Sequence, residues 1–585
     1  MNSRIIGIDL GTTNTVVSAV NPAGHTEVLR TREGESLIPS VVLFADERTI
    51  VGREAQLRGR AHPDRLVACA KRLLGEAFYD QRIGGESIPP EVIQACILQQ
   101  VKREWVGPDD RQSRVVIAVP AHFNETQRHV TTMAAEMSGL RLLELVNEPI
   151  AAALAFAEDM PMFSIAGPHS APRAVLVFDL GGYTFEATLL SIRPGEMTMV
   201  ATDHDLFLGG HDWDLRLVDI LAEAFIRGHG VDPREEPQYL DHIVQRAIQF
   251  KHALGVRSHA SAHLVCGGTS ETVRITRPQF ESATADLAEQ TGLVCDRVLQ
   301  RGGLEWSRVA QVLLVGGATR MPMIRRMLAQ RLGRDADDRV CPEEAVARGA
   351  AIYAAQAIRG GGKPPMLQVT STSTHSLGIE GVNEESGERV NKVLIPKGTP
   401  LPAKVTREFF AKSNSQRSII FNVLEGENPH PAKCVKIGLV ILRDLPPEVS
   451  EQWPVEVTYE YSPSGRLSVD ARARYTDCSV HLTTVRPVGV SQAHVAQWKR
   501  VVTAQSGLPD YRQVRAWERA AEAPPPVVVA GLPEPAARPE PEGVLAFLRR
   551  MMPFVFQRRQ PTEETSNDPT RESPAENTHA NIPAA

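Results

Sequence analysis

At 585 residues the chain is too long for one hydrophobic core, and about 150 residues per domain allows two to four domains. Hydrophobic residues at 42%, charged residues at 23% and a formal net charge of −6 are ordinary globular values, and they exclude a basic nucleic-acid footprint. The cysteines (Cys69, Cys96, Cys266, Cys295, Cys341, Cys434, Cys478) are scattered without a Cys-x-x-Cys pair, and no apolar run approaches about 18 residues. Both facts argue against disulfides, a zinc site or stable membrane insertion, and for a reducing, cytoplasmic setting.

From residue 4 to about 358, short apolar runs (IIGID, RVVIAV, AVLVF, QVLLV) alternate with helical stretches such as ETQRHVTTMAAEMSGL. The alternation predicts α/β architecture with mostly buried sheets. RIIGIDLGTTNTVVSAV (4–20) and AVLVFDLGGYTFEATLL (174–190) align at Asp9 and Asp179. Each reads as a strand, a tight glycine turn and a returning strand, so two related lobes are expected. The turns Gly11-Thr12-Thr13 and Gly181-Gly182 can surround phosphate oxygens with backbone N–H groups, and the carboxylates before them suit Mg²⁺ held through water. Val315-Gly316-Gly317-Ala318-Thr319-Arg320 follows a third strand and has room for a nucleoside; no G-x-x-x-x-G-K-[ST] loop is present.

Residues 359–375 are rich in Gly, Pro, Ser and Thr and read as a linker. Beyond them Val455, Val457, Tyr459 and Tyr461, then Leu467, Val469, Ala471, Ala473 and Tyr475, alternate with polar residues around Ser462-Pro463-Ser464-Gly465. That is a hairpin with one buried face. Ser491 opens a helix carrying Val495, Trp498 and Val501 or Val502 on one face, closed by Gly507 and Pro509, with a second helix expected at 511–521. From 521 the chain is Pro-, Glu- and Ala-rich and expected to be disordered, except for an apolar island at 543–557.

The segments GIDLGTTNT, KRLLG (71–75), VVIAVPAHFNETQR (115–128), NEPIAAALAF (147–156), FDLGGYTFE (178–186), LGGHDWD (208–214), LLVGGATRMP (313–322) and PEEAVARGAA (342–351), then SLGIE and VLEGE, resemble the DnaK-type seventy-kilodalton heat-shock chaperones in their order along the chain. The resemblance implies an actin-like two-lobed ATPase domain (1–358), the linker (359–375), a β-sandwich peptide-binding domain (376–487), a truncated helical lid (488–520) and the tail (521–585). It implies ATP, Mg²⁺ and K⁺ as an accessory ion. Asp9 and Asp179 would serve the metal shell, and Gly11, Thr12, Thr13, Asn14, Gly181, Gly182, Gly209 and Gly210 the phosphates. Lys251, Gly316, Gly317 and Arg320 would hold the nucleoside. Lys71 would reach the γ-phosphate and the attacking water, which Glu148, Asp179 and Thr184 would orient. Pro120, Arg128 and Asn147 match the relay toward the neighbouring domain. Ile379, Val382, Phe409, Ile419 and Phe421 would line the peptide groove, with Lys412 in the arch over it. The implied partners are extended apolar polypeptides, a J-domain co-chaperone and a nucleotide exchange factor.

Some positions depart from the family. Tyr183 replaces a phosphate-loop glycine and Glu186 a following Asp; Ile248 stands where the family has Glu, Gly255 where it has Ser, and Glu144 where it has Arg. Two nucleoside partners are lost, so weaker ADP binding and faster exchange are expected. The short lid implies fast client exchange. Two other readings stay open: a nucleotide-binding scaffold with little turnover, and an actin-like filament protein. For the tail island, docking into the chain's own groove, substitution for part of the lid, membrane-surface contact and no role are the alternatives.

Overall fold

The computed structural model describes residues 4–504 except 108–112, 160–170, 338, 360–367, 384–385, 412–416, 444, 447–448, 451, 463–465, 484–489 and 491–493. The expected tail, its apolar island, the second lid helix and Lys412 therefore lie outside the described residues.

The first lobe is built on β1 (Ile5–Leu10), β2 (Asn14–Val20), β3 (Thr26–Val28), β4 (Arg114–Val119) and β5 (Leu142–Asn147), in the spatial order β3-β2-β1-β4-β5. The second uses β6 (Arg173–Leu180), β7 (Phe185–Arg193), β8 (Glu196–Asp205), β9 (Val309–Val315) and β10 (Gln368–Thr370), in the order β9-β6-β7-β8-β10. Apolar residues such as Ile6, Ile8, Val175 and Val177 are fully buried because helices cover the sheets.

The internal echo is a structural one. Asp9 pairs across to Val16 of the antiparallel β2 and Ala118 of the parallel β4. Asp179 pairs to Glu186 of the antiparallel β7 and Val315 of the parallel β9. In both lobes the aspartate is the penultimate residue of a strand held on both edges, so its position is rigid.

Helices flank these sheets: α1 (Pro90–Val101), α2 (Glu125–Ser138), α3 (Glu148–Asp159), α4 (Gly210–His229), α5 (Pro237–Val256) and α6 (Ala345–Arg359). Asn124 caps α2, accepting from Gln127 N while the Gln127 side chain accepts from Asn124 N. The expected linker contains a strand: β10 lies parallel to β8, with Met197 opposite Val369.

Next come two four-stranded antiparallel sheets sharing one core. The first is β12-β11-β14-β15, from β11 (Leu377–Val382), β12 (Arg389–Ile395), β14 (Ile419–Glu425) and β15 (Val435–Leu442). The second is β13-β16-β17-β18, from β13 (Ala403–Phe410), β16 (Pro454–Tyr461), β17 (Leu467–Ala473) and β18 (Ser479–Thr483). The alternating residues pair as Val457 with Ala471 and Tyr459 with Val469, all buried. Tyr475 departs from the expected alternation. The strand ends at Ala473, and Tyr475 turns out at φ 61 with 83% exposure.

Helix α7 (Val495–Ala504) packs on the first lobe. Val490, Val495, Trp498 and Val502 join the core cluster formed by α1, α2 and β1. The Val490 N–H donates to Glu91 Oε1 at 2.6 Å, and burial pushes the Glu91 carboxyl up to about 7. None of the helices among the described residues is long and apolar enough to cross a membrane.

Candidate functional site: the interlobe cleft

A cavity of about 670 Å³ opens between the lobes where β1 and β6 end. The turns after those strands face each other closely: a Cβ at Gly182 would lie 2.1 Å from Thr13 Oγ1, so any larger residue there would displace the Thr13 side chain. Gly11, Thr12, Thr13 and Asn14 line one wall, Gly181 and Thr184 the other, and Gly316 and Gly317 the far end.

Four charged groups meet inside. Lys71 Nζ donates to Glu148 Oε1 at 2.7 Å, with both side chains nearly buried. Burial alone would depress the Lys71 ammonium, but Glu148, Asp9 and Asp179 hold it above its ordinary value. Burial pushes the Asp9 and Asp179 carboxyls up, and the Glu148 charge adds to the shift in both. Three carboxylates against one ammonium leave the cleft short of positive charge, which is the setting a divalent cation suits. Asp9 and Asp179, at the ends of their strands, are oxygen donors that suit an ion held through its waters.

Glu186, the departure next to the phosphate loop, also lines the cavity but is engaged by the protein itself. Its Oε2 meets His122 Nδ1 and Ala121 N at 3.3 Å, and its Oε1 accepts from Thr202 at 3.1 Å. His122 in turn stacks on His204 with ring centroids 4.4 Å apart.

Other expected residues sit off the cavity. The Gly210 and His211 N–H groups donate to the Gly181 and Gly182 carbonyls at 2.9 and 2.7 Å, so the start of α4 anchors the second phosphate loop. Gly209 leaves room for that loop: a Cβ there would lie 2.4 Å from Tyr183 N. Lys251 donates to Asp214 and to the Gly210 carbonyl, both at 2.6 Å. Arg320 makes a two-pronged pair with Glu343 at 2.6 and 2.7 Å.

Pro120 lines the cavity, and behind it Arg128 is buried. Its guanidinium donates to the Phe123 carbonyl at 3.1 Å, the Ala121 carbonyl at 3.3 Å and Asn147 Oδ1 at 2.8 Å. Asn147 Nδ2 then reaches Ser371 Oγ at 3.4 Å, beside β10. Asn147 ends β5 and Glu148 begins α3, so adjacent residues face the linker and the cleft. Glu144 accepts from the Tyr353 hydroxyl at 3.1 Å.

In the paired sheets, Ile379 belongs to the core, while Phe409, Ile419 and Phe421 are half-buried at its margin and Val382 is exposed. Sequence reasoning missed Cys69, Arg72, Phe207 and Glu343 as neighbours of the cleft. Arg72 was in view inside KRLLG, but nothing local marks which rings it meets.

The Hsp70 protein family matches residues 5–523. The chain is 33% identical over 526 residues to a chaperone protein DnaK of Halobacterium salinarum, covering 88% of this chain and 80% of that one. It is 34% identical over 483 residues to the chaperone proteins DnaK of Thermotoga neapolitana and Thermotoga maritima, covering 80% of this chain and 78% of each. The chain belongs to the Hsp70 family. It is an ATP-dependent chaperone and an ATPase.

Proposed function

We infer that the cleft hydrolyses ATP bound with Mg²⁺ and that hydrolysis governs capture of extended apolar segments at the margin of the paired sheets. The observation that carries this reading is the buried Lys71–Glu148 pair beside Asp9 and Asp179. The ion would neutralise phosphate charge. Asp9 and Asp179 hold its water shell. Lys71 stabilises charge on the γ-phosphate, and Glu148 with Thr184 and Asp179 orients the attacking water. Phosphoryl transfer asks chiefly for such positioning and charge. K⁺ beside the phosphates would compete for Glu186 with His122, Ala121 and Thr202.

The chain Pro120, Arg128, Asn147 and Ser371 offers a route from cleft to sandwich. Phe409, Ile419 and Phe421 supply an apolar margin for an added strand, with Val382 beside it and Ile379 beneath. A J-domain co-chaperone, an exchange factor and cytoplasmic residence complete the reading. Single-turnover hydrolysis with and without an apolar peptide tests it: the peptide accelerates turnover several-fold. ATP held without turnover would favour the scaffold instead.

The nucleoside side yields a second expectation. A Cβ at Gly255 meets nothing within 4 Å, so Gly255→Ser fits and restores a hydroxyl. ADP affinity, read by calorimetry, should tighten by about two- to tenfold, the worth of one hydrogen bond; unchanged affinity would place the nucleoside elsewhere.

A further inference from the structure

The mouth of the cleft carries aromatic residues that phosphate chemistry does not require. Tyr183 stands in the second phosphate loop, its backbone packed against Gly209. Its ring lies against His211, with centroids 4.8 Å apart, on the second lobe's side. From the first lobe come Cys69, in a left-handed backbone turn at φ 59, and Arg72. The Cys69 thiol and the Tyr183 hydroxyl are hydrogen-bonded. The Arg72 guanidinium lies 5.5 Å from the Tyr183 ring centroid and 5.6 Å from that of Phe207, and its Nη2 reaches the Leu206 carbonyl at 3.5 Å. Phe207 is otherwise 78% exposed. A solvent-facing phenylalanine has little reason to hold one orientation unless the cation beside it does.

We propose that Arg72, held between Tyr183 and Phe207, is a latch across the lobes that sets how long nucleotide stays in the cleft. Nucleotide leaves when the lobes part, and parting them strips Arg72 from both rings and Tyr183 from Cys69. Each guanidinium–ring contact strengthens as water is excluded, so the latch is tightest when the cleft is closed. The residues act by positioning the lobes; none of them needs to touch the transferring phosphoryl group. The latch opposes the loosening expected from Ile248 and Gly255 on the nucleoside side. It rests on the reading that nucleotide occupies this cleft.

The test is a double-mutant cycle on release of a fluorescent ADP analogue from the full chain. Phe207→Ala, a change at an exposed side chain, should speed release about three- to tenfold, and Arg72→Ala at least as much, because it removes both ring contacts. Phe207→Ala in the Arg72→Ala background should add nothing further, and Phe207→Tyr should keep the slow rate. Tyr183→Phe, which keeps the ring and loses the thiol bond, should speed release by less than Phe207→Ala does. Additive effects of the two alanines, or release unchanged by either, would overturn the latch while leaving the nucleotide site standing. Failure of the parent chain to bind the analogue would overturn both.

Discussion

Replacing Lys71 with alanine should lower single-turnover ATP hydrolysis by about 10²–10³-fold, the usual cost of removing one preorganised charge from a phosphoryl- or acyl-transfer site. Lys71 is nearly buried, and the carboxylates of Glu148, Asp9 and Asp179 hold its charge. In its absence Glu148, Asp9 and Asp179 would face the polyphosphate with no ammonium among them. ATP binding survives, because the glycine turns and the metal shell remain. Filter binding of ATP beside a quenched-flow time course separates the two effects. Lys71→Met, which keeps the length of the side chain, guards against a packing artefact. Undiminished turnover in both variants would remove Lys71 from the mechanism and leave the buried pair as scaffolding.

The second large effect concerns pH and the docking of the paired sheets on the first lobe. Glu125, at the start of α2, and Glu425, at the end of β14, are both buried where these units meet. The Glu125 N–H donates to the Glu425 carboxylate, and the Leu467 N–H donates to that of Glu125. Burial, and for Glu125 the facing Glu425, pushes Glu125 up to about 8; burial and then Glu427 push Glu425 up to about 7. Arg128 pulls both back down, and Arg466 pulls down Glu125. His129, depressed by burial and by Arg466, and the buried Tyr461 hydroxyl are the remaining titratable neighbours.

If the sheets leave the lobe, both carboxyls return to water and to their ordinary 4.5. Docking therefore takes up protons. Its stability is fully present below about 4.5, where both states are protonated, and is lost as pH rises through the docked values near 7 and 8. Each proton taken up changes the docking equilibrium by up to about tenfold per pH unit within that window. With ATP bound to the hydrolysis-deficient Lys71→Ala chain, small-angle scattering should show a compact particle at pH 6 that expands toward pH 9. Glu425→Gln keeps the shape and abolishes the charge, so its profile should flatten and its docked fraction at pH 8.5 should rise. A docked fraction independent of pH in the parent chain would refute the linkage.

Much of this was legible in the sequence because it depends on local chemistry. Asp9 and Asp179 each end an apolar run before a glycine turn, which marks both lobes and both phosphate loops without any long-range information. The alternation through Val455–Tyr461 and Leu467–Ala473 fixes a hairpin by side-chain period alone. Lys71, Glu148 and Arg128 were readable through the motifs around them. What Arg128 touches was not: the Ala121 and Phe123 carbonyls come from one backbone turn and the Asn147 amide oxygen from another element, and only the closing of α2 against β5 aligns them.

Three outcomes belonged to tertiary structure, and each for a physical reason. The face Val495–Trp498–Val502 shows that α7 must bury an apolar stripe, but any complementary surface would satisfy it. The first lobe provides that surface, with Glu91 positioned to receive the Val490 N–H. Glu125 and Glu425 look like ordinary surface acids in the sequence, since nothing near either one announces burial 300 residues apart. Tyr183 announced itself as a break in a glycine pattern, which read as damage to a phosphate loop. The fold turned it outward toward Arg72, because the strand β6, the start of α4 and the loop carrying Cys69 converge there. Periodicity and turn chemistry act over a few residues and are written in them; charge burial and cation–ring contacts depend on which distant surfaces meet.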